Sequence, residues 1–248
     1  MFPSPKEIAE KHGLWAKKAL GQNFIFDLNL TRKIANSAGN LTGANVIEIG
    51  PGPGGLTQAI LEKDINKLYA IEFDERAIAG LKELNSPKLE IINDDALEID
   101  LRKVAPEGCL VIANLPYNIG TKLLMDWLEY ASHFKSFTLM FQKEVAERLV
   151  AKTRTKDYGR VSVVTQWLCH AEILFEVPPT AFVPAPKVTS AIVKIVPREK
   201  PLFPAEKKKL EMVVKTAFNQ RRKMLRASLK SLNVDFGALG IRPEARAE

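Results

Sequence analysis

The chain has 248 residues, 46% hydrophobic and 26% charged, the balance of a globular protein with a substantial core. No apolar run approaches the ~18 residues of a membrane span, and the opening "MFPSPKEIAEKHGLW" lacks the apolar stretch of a signal peptide. The net charge is +7, yet residues 207–230 hold nine Lys/Arg against the single acid Glu211, so the rest of the chain sums to −1.

In chain order, "NVIEI" (45–49), "KLYAIEF" (67–73), "KLEII" (88–92), "CLVIA" (109–113) and "SFTLMF" (136–141) are short apolar runs of strand length. Between them, "GGLTQAILEK", "DERAIAGLKEL" and "GTKLLMDWLEYA" space their apolar residues at i, i+3 and i+4, the helical period. This alternation predicts an α/β fold, a mostly parallel sheet covered on both faces. "EILFEV" (172–177) and "VTSAIVKIV" (188–196) add two strands. Their connection, "PPTAFVPAPK", is too short and proline-rich for a parallel crossover, which predicts an antiparallel final hairpin and seven strands in all. "PREKPLFPAE" (197–206) reads as a linker. It divides a domain of residues 1–200 from a basic helical segment, 201–248, with Leu210, Val213, Val214, Ala217 and Phe218 on one face. The chain ends at "IRPEARAE" without a closing apolar helix, as expected of a shortened C-terminal domain.

Cys109 and Cys169 are isolated, with no CxxC or Cys/His cluster beside them, so both read as buried thiols of a cytoplasmic protein without a metal site. His12, His133 and His170 are scattered, and Trp127 and Trp167 fall on apolar helix faces.

"VIEIGPGPGGLTQAI" (46–60) sets Gly50, Gly52 and Gly55 in a G-x-G-x-x-G frame between a strand and a helix. Such a loop lets the backbone approach a ligand at a helix N-terminus. Glu72 ends the next strand 22 residues after Gly50, where a carboxylate can meet ribose hydroxyls. These features describe a nucleoside site and fit a nicotinamide cofactor or another adenosine ligand. Two details favour S-adenosylmethionine (SAM). Pro51 and Pro53 remove amide donors that a pyrophosphate would use, and Glu48 offers a carboxylate to a cation. Asp94 and Asp95 of "INDDAL" suit an adenine amine or a helix cap equally.

"IANLPYNIG" (112–120) puts Asn114-Leu115-Pro116-Tyr117 at the end of the fourth strand. One account is an ordinary Asn-x-Pro turn. The other is a site for an exocyclic nucleobase amine, whose delocalised lone pair makes it a poor nucleophile unless its hydrogens are held. The Asn114 side-chain oxygen and the Leu115 carbonyl can accept those N–H bonds, Pro116 fixes the turn, and Tyr117 can stack on the base. The position beyond the carboxyl end of a strand in a glycine-loop sheet favours the site. The cationic segment, with Lys207, Lys208, Arg221, Arg222, Lys223 and Arg226, is either a solvated face or a contact for an anionic polymer.

"GQNFIFD", "EIGPGPGGLT", "IEFD", "DAL", "NLPYNI", "FQKEVAERL", "YGRVSV" and "FVPAPKVTSAIV" occur in order from about residue 19 to 245. Together they closely resemble the bacterial rRNA adenine N6,N6-dimethyltransferases of the KsgA type. The resemblance implies a class I SAM-dependent methyltransferase fold, Rossmann-like, with a small helical C-terminal domain. The implied reaction dimethylates two adjacent adenines in the hairpin near the 3′ end of 16S rRNA, on a small ribosomal subunit precursor in the cytoplasm, with the enzyme acting as a monomer. By position, Asn23 and Ile25 match a segment that closes over SAM; from the residues alone this is a turn before a helix capped by Asp27. Gly50 matches the methionine-side contact, Glu72 the ribose contact and Asp95 the adenine contact. Asn114 matches the residue that meets SAM and the target amine, and Phe182 an aromatic opposite Tyr117. Asp94 departs from the family pattern, which more often has a small or neutral residue there.

Overall fold

A computed structural model describes residues 2–14 and 23–248. Alternating strand residues go to opposite faces of a pleated sheet. Ile47, Ile49, Val111 and Ala113 therefore join one apolar cluster, while Val46, Leu68, Leu110 and Ile112 join another across the sheet. The sheet that carries them contains β1 (Asn45–Ile49), β2 (Lys67–Glu72), β3 (Leu89–Asn93), β4 (Cys109–Asn114), β5 (Phe134–Gln142), β6 (Cys169–Val177) and β7 (Ser190–Pro197). Their order is β3-β2-β1-β4-β5-β7-β6. The neighbours among β1 to β5 pair in parallel, whereas β7 runs antiparallel to both β5 and β6. The expected parallel sheet and final hairpin are both present.

Helices cover both faces. α1 (Pro5–Lys11) is opened by a Ser4 capping box, and α2 (Leu28–Ser37) by the Asp27 carboxylate accepting from the Asn29 and Leu30 amides. α3 (Gly55–Leu61), α4 (Glu75–Lys82) and α5 (Gly120–Trp127) are the crossovers read from the helical spacing. α6 (Lys143–Leu149) and α7 (Arg160–Leu168) occupy the long β5–β6 connection; α7 carries Trp167, expected on an apolar helix face, whereas α6 was not expected. Trp127 stacks parallel to Phe137, and Trp167 is buried as anticipated. Burial pushes the Cys109 thiol up to about 11 and Cys169 to about 12, so both stay protonated and unreactive.

The 197–206 segment, expected as a linker, is held on α7. Leu202 donates its amide to the Trp167 carbonyl at 2.8 Å, and the Trp167 indole N–H donates to the Phe203 carbonyl at 2.7 Å. Beyond it, α8 (Lys207–Asn219) buries Val214 and Ala217 and packs on α7, with the Phe218 ring against Tyr158. Val213, expected on the apolar face, stays exposed. α9 (Leu225–Ser228) follows and receives the end of the chain, its Leu225 and Arg226 amides donating to the Ala245 and Pro243 carbonyls.

Candidate active site

From β1 the chain goes outward to β2, and from β4 it goes the other way to β5. At such a reversal the loops leaving the carboxyl ends of the strands part and leave a crevice. A cavity of about 230 Å³ lies there, lined by Asn23, Gly50, Gly52, Glu72, Asp95 and the Asn114-Leu115-Pro116-Tyr117 turn, among others. Tertiary folding thus gathers residues from four strand ends and from the segment before α2.

The glycine loop has a steric requirement at two positions. Gly52 has φ +54°, and a Cβ there would lie 2.9 Å from the Phe24 ring. A Cβ on Gly55 would meet the Ile25 carbonyl oxygen at 2.6 Å, so the chain before α2 can cross the start of α3 only over a bare backbone.

Glu72 is almost completely buried. Its Oε2 accepts from the Gly52 amide at 3.1 Å, and Oε1 accepts from the Phe73 and Asp74 amides, both at 3.0 Å. A carboxylate offers about four lone-pair sites, so three amides leave room for about one ribose hydroxyl rather than two. Burial raises its pKa, opposed by those amides.

Glu48 does not line the main cavity. It faces a separate space of about 30 Å³ beneath the loop, shared with Pro51, Pro53 and Asn114 and large enough for a water. Its side chain is fully buried, Oε2 has no hydrogen-bond partner, and burial pushes its pKa up to about 8. Thr57, whose own hydroxyl is buried without a well-formed bond, opposes that shift, while the Glu72 charge reinforces it. The carboxylate that the sequence offers to a bound cation thus lies on this smaller space, which shares Phe24, Gly50 and Asn114 with the main cavity.

Asp95 lines the cavity and also caps its own turn, accepting from the Leu97 amide at 2.8 Å. Asp94 accepts from the Asp95 amide. Cap and cavity position are thus combined in Asp95, while Asp94 shapes the turn.

Asn114 ends β4 and lines both spaces. Its Nδ2 donates to the Asn23 carbonyl at 3.1 Å, which fixes the amide and turns Oδ1 the other way. The Tyr117 hydroxyl lies 2.6 Å from the Ser190 hydroxyl, and burial raises the phenol pKa. Ile25 is buried next to the loop in the smaller space. Gly21 and Gln22 of the "GQNFIFD" motif lie outside the described residues.

Phe182 stands apart from its expected place. It is buried with Ile25, Val177 and Met140 in the apolar cluster beneath the 178–189 loop and does not line the cavity. An apolar ring gains more from that packing than from solvent at a cavity rim. Its loop is joined to the segment before α2 by two backbone bonds between Phe24 and Val183, at 3.0 and 2.9 Å. Phe24 and Phe73, which line the cavity, escaped the sequence reading; each directly adjoins a predicted site residue.

The basic segment divides as well. Lys207 is committed to Glu129 and Glu211. Arg221 pairs with Glu248 at 2.6 Å and donates to the Lys156 carbonyl at 2.6 Å, so it clamps the 152–160 loop. Lys208, Arg222, Lys223 and Arg226 are exposed, the last about 3.7 Å from Glu244.

Residues 13–238 match the family model described as ribosomal RNA adenine dimethylase. The chain belongs to this family. A relative from Rhodospirillum rubrum, described as ribosomal RNA small subunit methyltransferase A, is 53% identical over all of this chain and 88% of its own length. One of the same description from Azorhizobium caulinodans is 52% identical with the same coverage. Among solved structures, a dimethyladenosine transferase from Plasmodium falciparum superposes with a TM-score of 0.74 at 30% identity, covering 84% of this chain and 74% of that one. The 23S rRNA methyltransferase ErmE superposes at 0.70 with 28% identity, covering 90% and 92%. As a family member the chain is an rRNA adenine dimethyltransferase.

Proposed function

We propose that this enzyme transfers methyl groups from SAM to the N6 amines of two adjacent adenines in the hairpin near the 3′ end of 16S rRNA. The observation that carries this reading is the shared cavity: the glycine loop, Glu72 and Asp95 on one side, and the Asn114–Tyr117 turn on the other. The residues fit SAM. Glu72 keeps acceptor capacity for a ribose hydroxyl, Asp95 faces the cavity where an adenine amine needs an acceptor, and Gly52 admits close approach. When bound, SAM supplies an electrophilic methyl group on a sulfonium.

The protein's part is positioning. Asn114, braced by the Asn23 carbonyl, directs Oδ1 to one N–H of the target amine, and the Leu115 carbonyl takes the other. Held this way, the nitrogen would attack the methyl carbon in line as the carbon–sulfur bond breaks, the thioether S-adenosylhomocysteine would leave, and the amine proton would pass to water, since an amide cannot take a proton at neutral pH. Tyr117 stacks on the base, and Phe182 supports the 178–189 loop from below. Lys208, Arg222, Lys223 and Arg226 meet phosphates. Residues 1–200 form the methyltransferase unit and 201–248 the RNA-docking unit. We take it to act as a monomer in the cytoplasm, where small subunits assemble.

The likeness to ErmE makes large-subunit rRNA the second reading. The relatives above 50% identity over the whole chain, described as small-subunit enzymes, favour the first. Labelled SAM offered to separated unmethylated subunits tests both. Label should enter the small subunit at two adjacent adenines by primer extension. Label in the large subunit reverses the assignment, and label in neither refutes both.

A further inference from the structure

Stacking on a base needs only a ring, and phenylalanine would serve. The Tyr117 hydroxyl therefore calls for a separate account. It ends 2.6 Å from the hydroxyl of Ser190, a fully buried polar residue at the head of a strand that continues Ala191-Ile192-Val193. Ser190 has little freedom of its own. It opens β7, in register with Gln142 of β5 on one side and Val177 of β6 on the other. The carbonyl of Thr189, just before it, accepts from the Lys143 amide at 2.9 Å. Tyr117 is on a turn between β4 and α5, and its ring lines the cavity. Of the rings lining that cavity, Phe24, Phe73 and Tyr117, only Tyr117 belongs to the turn that carries Asn114 and Leu115. A ring on a turn is free at two torsions; tying its far end to a rigid strand holds both.

We propose that Ser190 is a positioning residue, a tether that holds the Tyr117 ring at the angle at which its face meets the target adenine. The proposal rests on the reading of Tyr117 as the base-stacking residue. The tether also joins the Asn114–Tyr117 turn to the end of the 178–189 loop.

The test is single-turnover methyl transfer to pre-bound small subunits by Ser190→Ala, Tyr117→Phe, the double variant and Tyr117→Ala, with SAM and subunit affinities measured on the same proteins. Ser190→Ala and Tyr117→Phe should each slow transfer by about three- to tenfold, the scale of one neutral hydrogen bond. The double variant should be no slower than either, because both remove the same bond. SAM affinity should not change. Full rate in Ser190→Ala and Tyr117→Phe with slow Tyr117→Ala would overturn the tether and leave the stacking role standing. Full rate in Tyr117→Ala would remove the stacking role and the proposal with it. Losses that multiply in the double variant, or that follow a loss of SAM affinity, would make Ser190 a structural residue only and also overturn the proposal.

Discussion

Replacing Glu48 by glutamine keeps the shape of a fully buried side chain and removes its charge. Folding takes this carboxyl from an ordinary value of 4.5 to about 8, chiefly by desolvation. Each unit is worth 1.36 kcal/mol, so holding Glu48 ionised in the folded protein costs about 5 kcal/mol. Because the folded-state value is the higher one, folding takes up a proton. The stabilising contribution is complete below the unfolded value and is lost as pH rises toward 8. Between pH 5 and 7.5 the wild type should therefore lose about 3 kcal/mol relative to Glu48→Gln, at a slope of about 1.4 kcal/mol per pH unit. Glu72, whose pKa is also raised by burial, is present in both proteins and largely cancels from the difference. Urea unfolding of the two proteins at half-unit pH steps gives the comparison directly. A difference in stability that stays constant across that range would refute the reasoning, since it would mean that Glu48 carries the same charge folded and unfolded.

Asn114→Ala should slow single-turnover transfer by about 10²–10³-fold, by analogy with the loss of one oxyanion-hole donor, with little change in subunit affinity; near wild-type transfer would reduce the turn to a structural element. Glu72→Gln sets an amide NH₂ against a backbone N–H and should raise the SAM dissociation constant by about ten- to hundredfold, the worth of a charged hydrogen bond, while leaving RNA binding intact. Calorimetry checks this, and unchanged SAM affinity would remove Glu72 from the cofactor site. Neutralising Arg222 and Lys223 should make the salt dependence of subunit binding shallower by about 0.7–0.9 per lost phosphate contact. Neutralising Arg221 instead should loosen the 152–160 loop and lower stability, as thermal unfolding would report.

Local pattern was enough for the elements and for the ends of the strands. Apolar runs and helical spacing are properties of neighbouring residues, so β1 to β4, α3 to α5 and the final hairpin could be read directly from the sequence. β5 and β6 begin two or three residues before their apolar runs, and α6 was missed because Lys143, Glu144, Glu147 and Arg148 dilute its spacing. That the glycine loop, Glu72, Asp95 and Asn114 meet at one cavity was legible because each follows or ends a strand at the same edge of the sheet. What depended on distant parts of the chain could be decided only by the tertiary structure. Phe182 lies beneath its loop because the cluster of Ile25, Val177 and Met140 offers more apolar contact than the cavity rim. Lys207 and Arg221 are taken up by Glu129 and Glu248, acids 78 and 27 residues away in sequence, and so drop out of a basic run that looked uniform. Glu48 lines the smaller space and not the main cavity, and Ser190 meets Tyr117 across 73 residues. Periodicity and spacing decide which face of an element is apolar and where its loops begin. Which partner a polar side chain finds is decided by desolvation and geometry, and these exist only once the chain has folded.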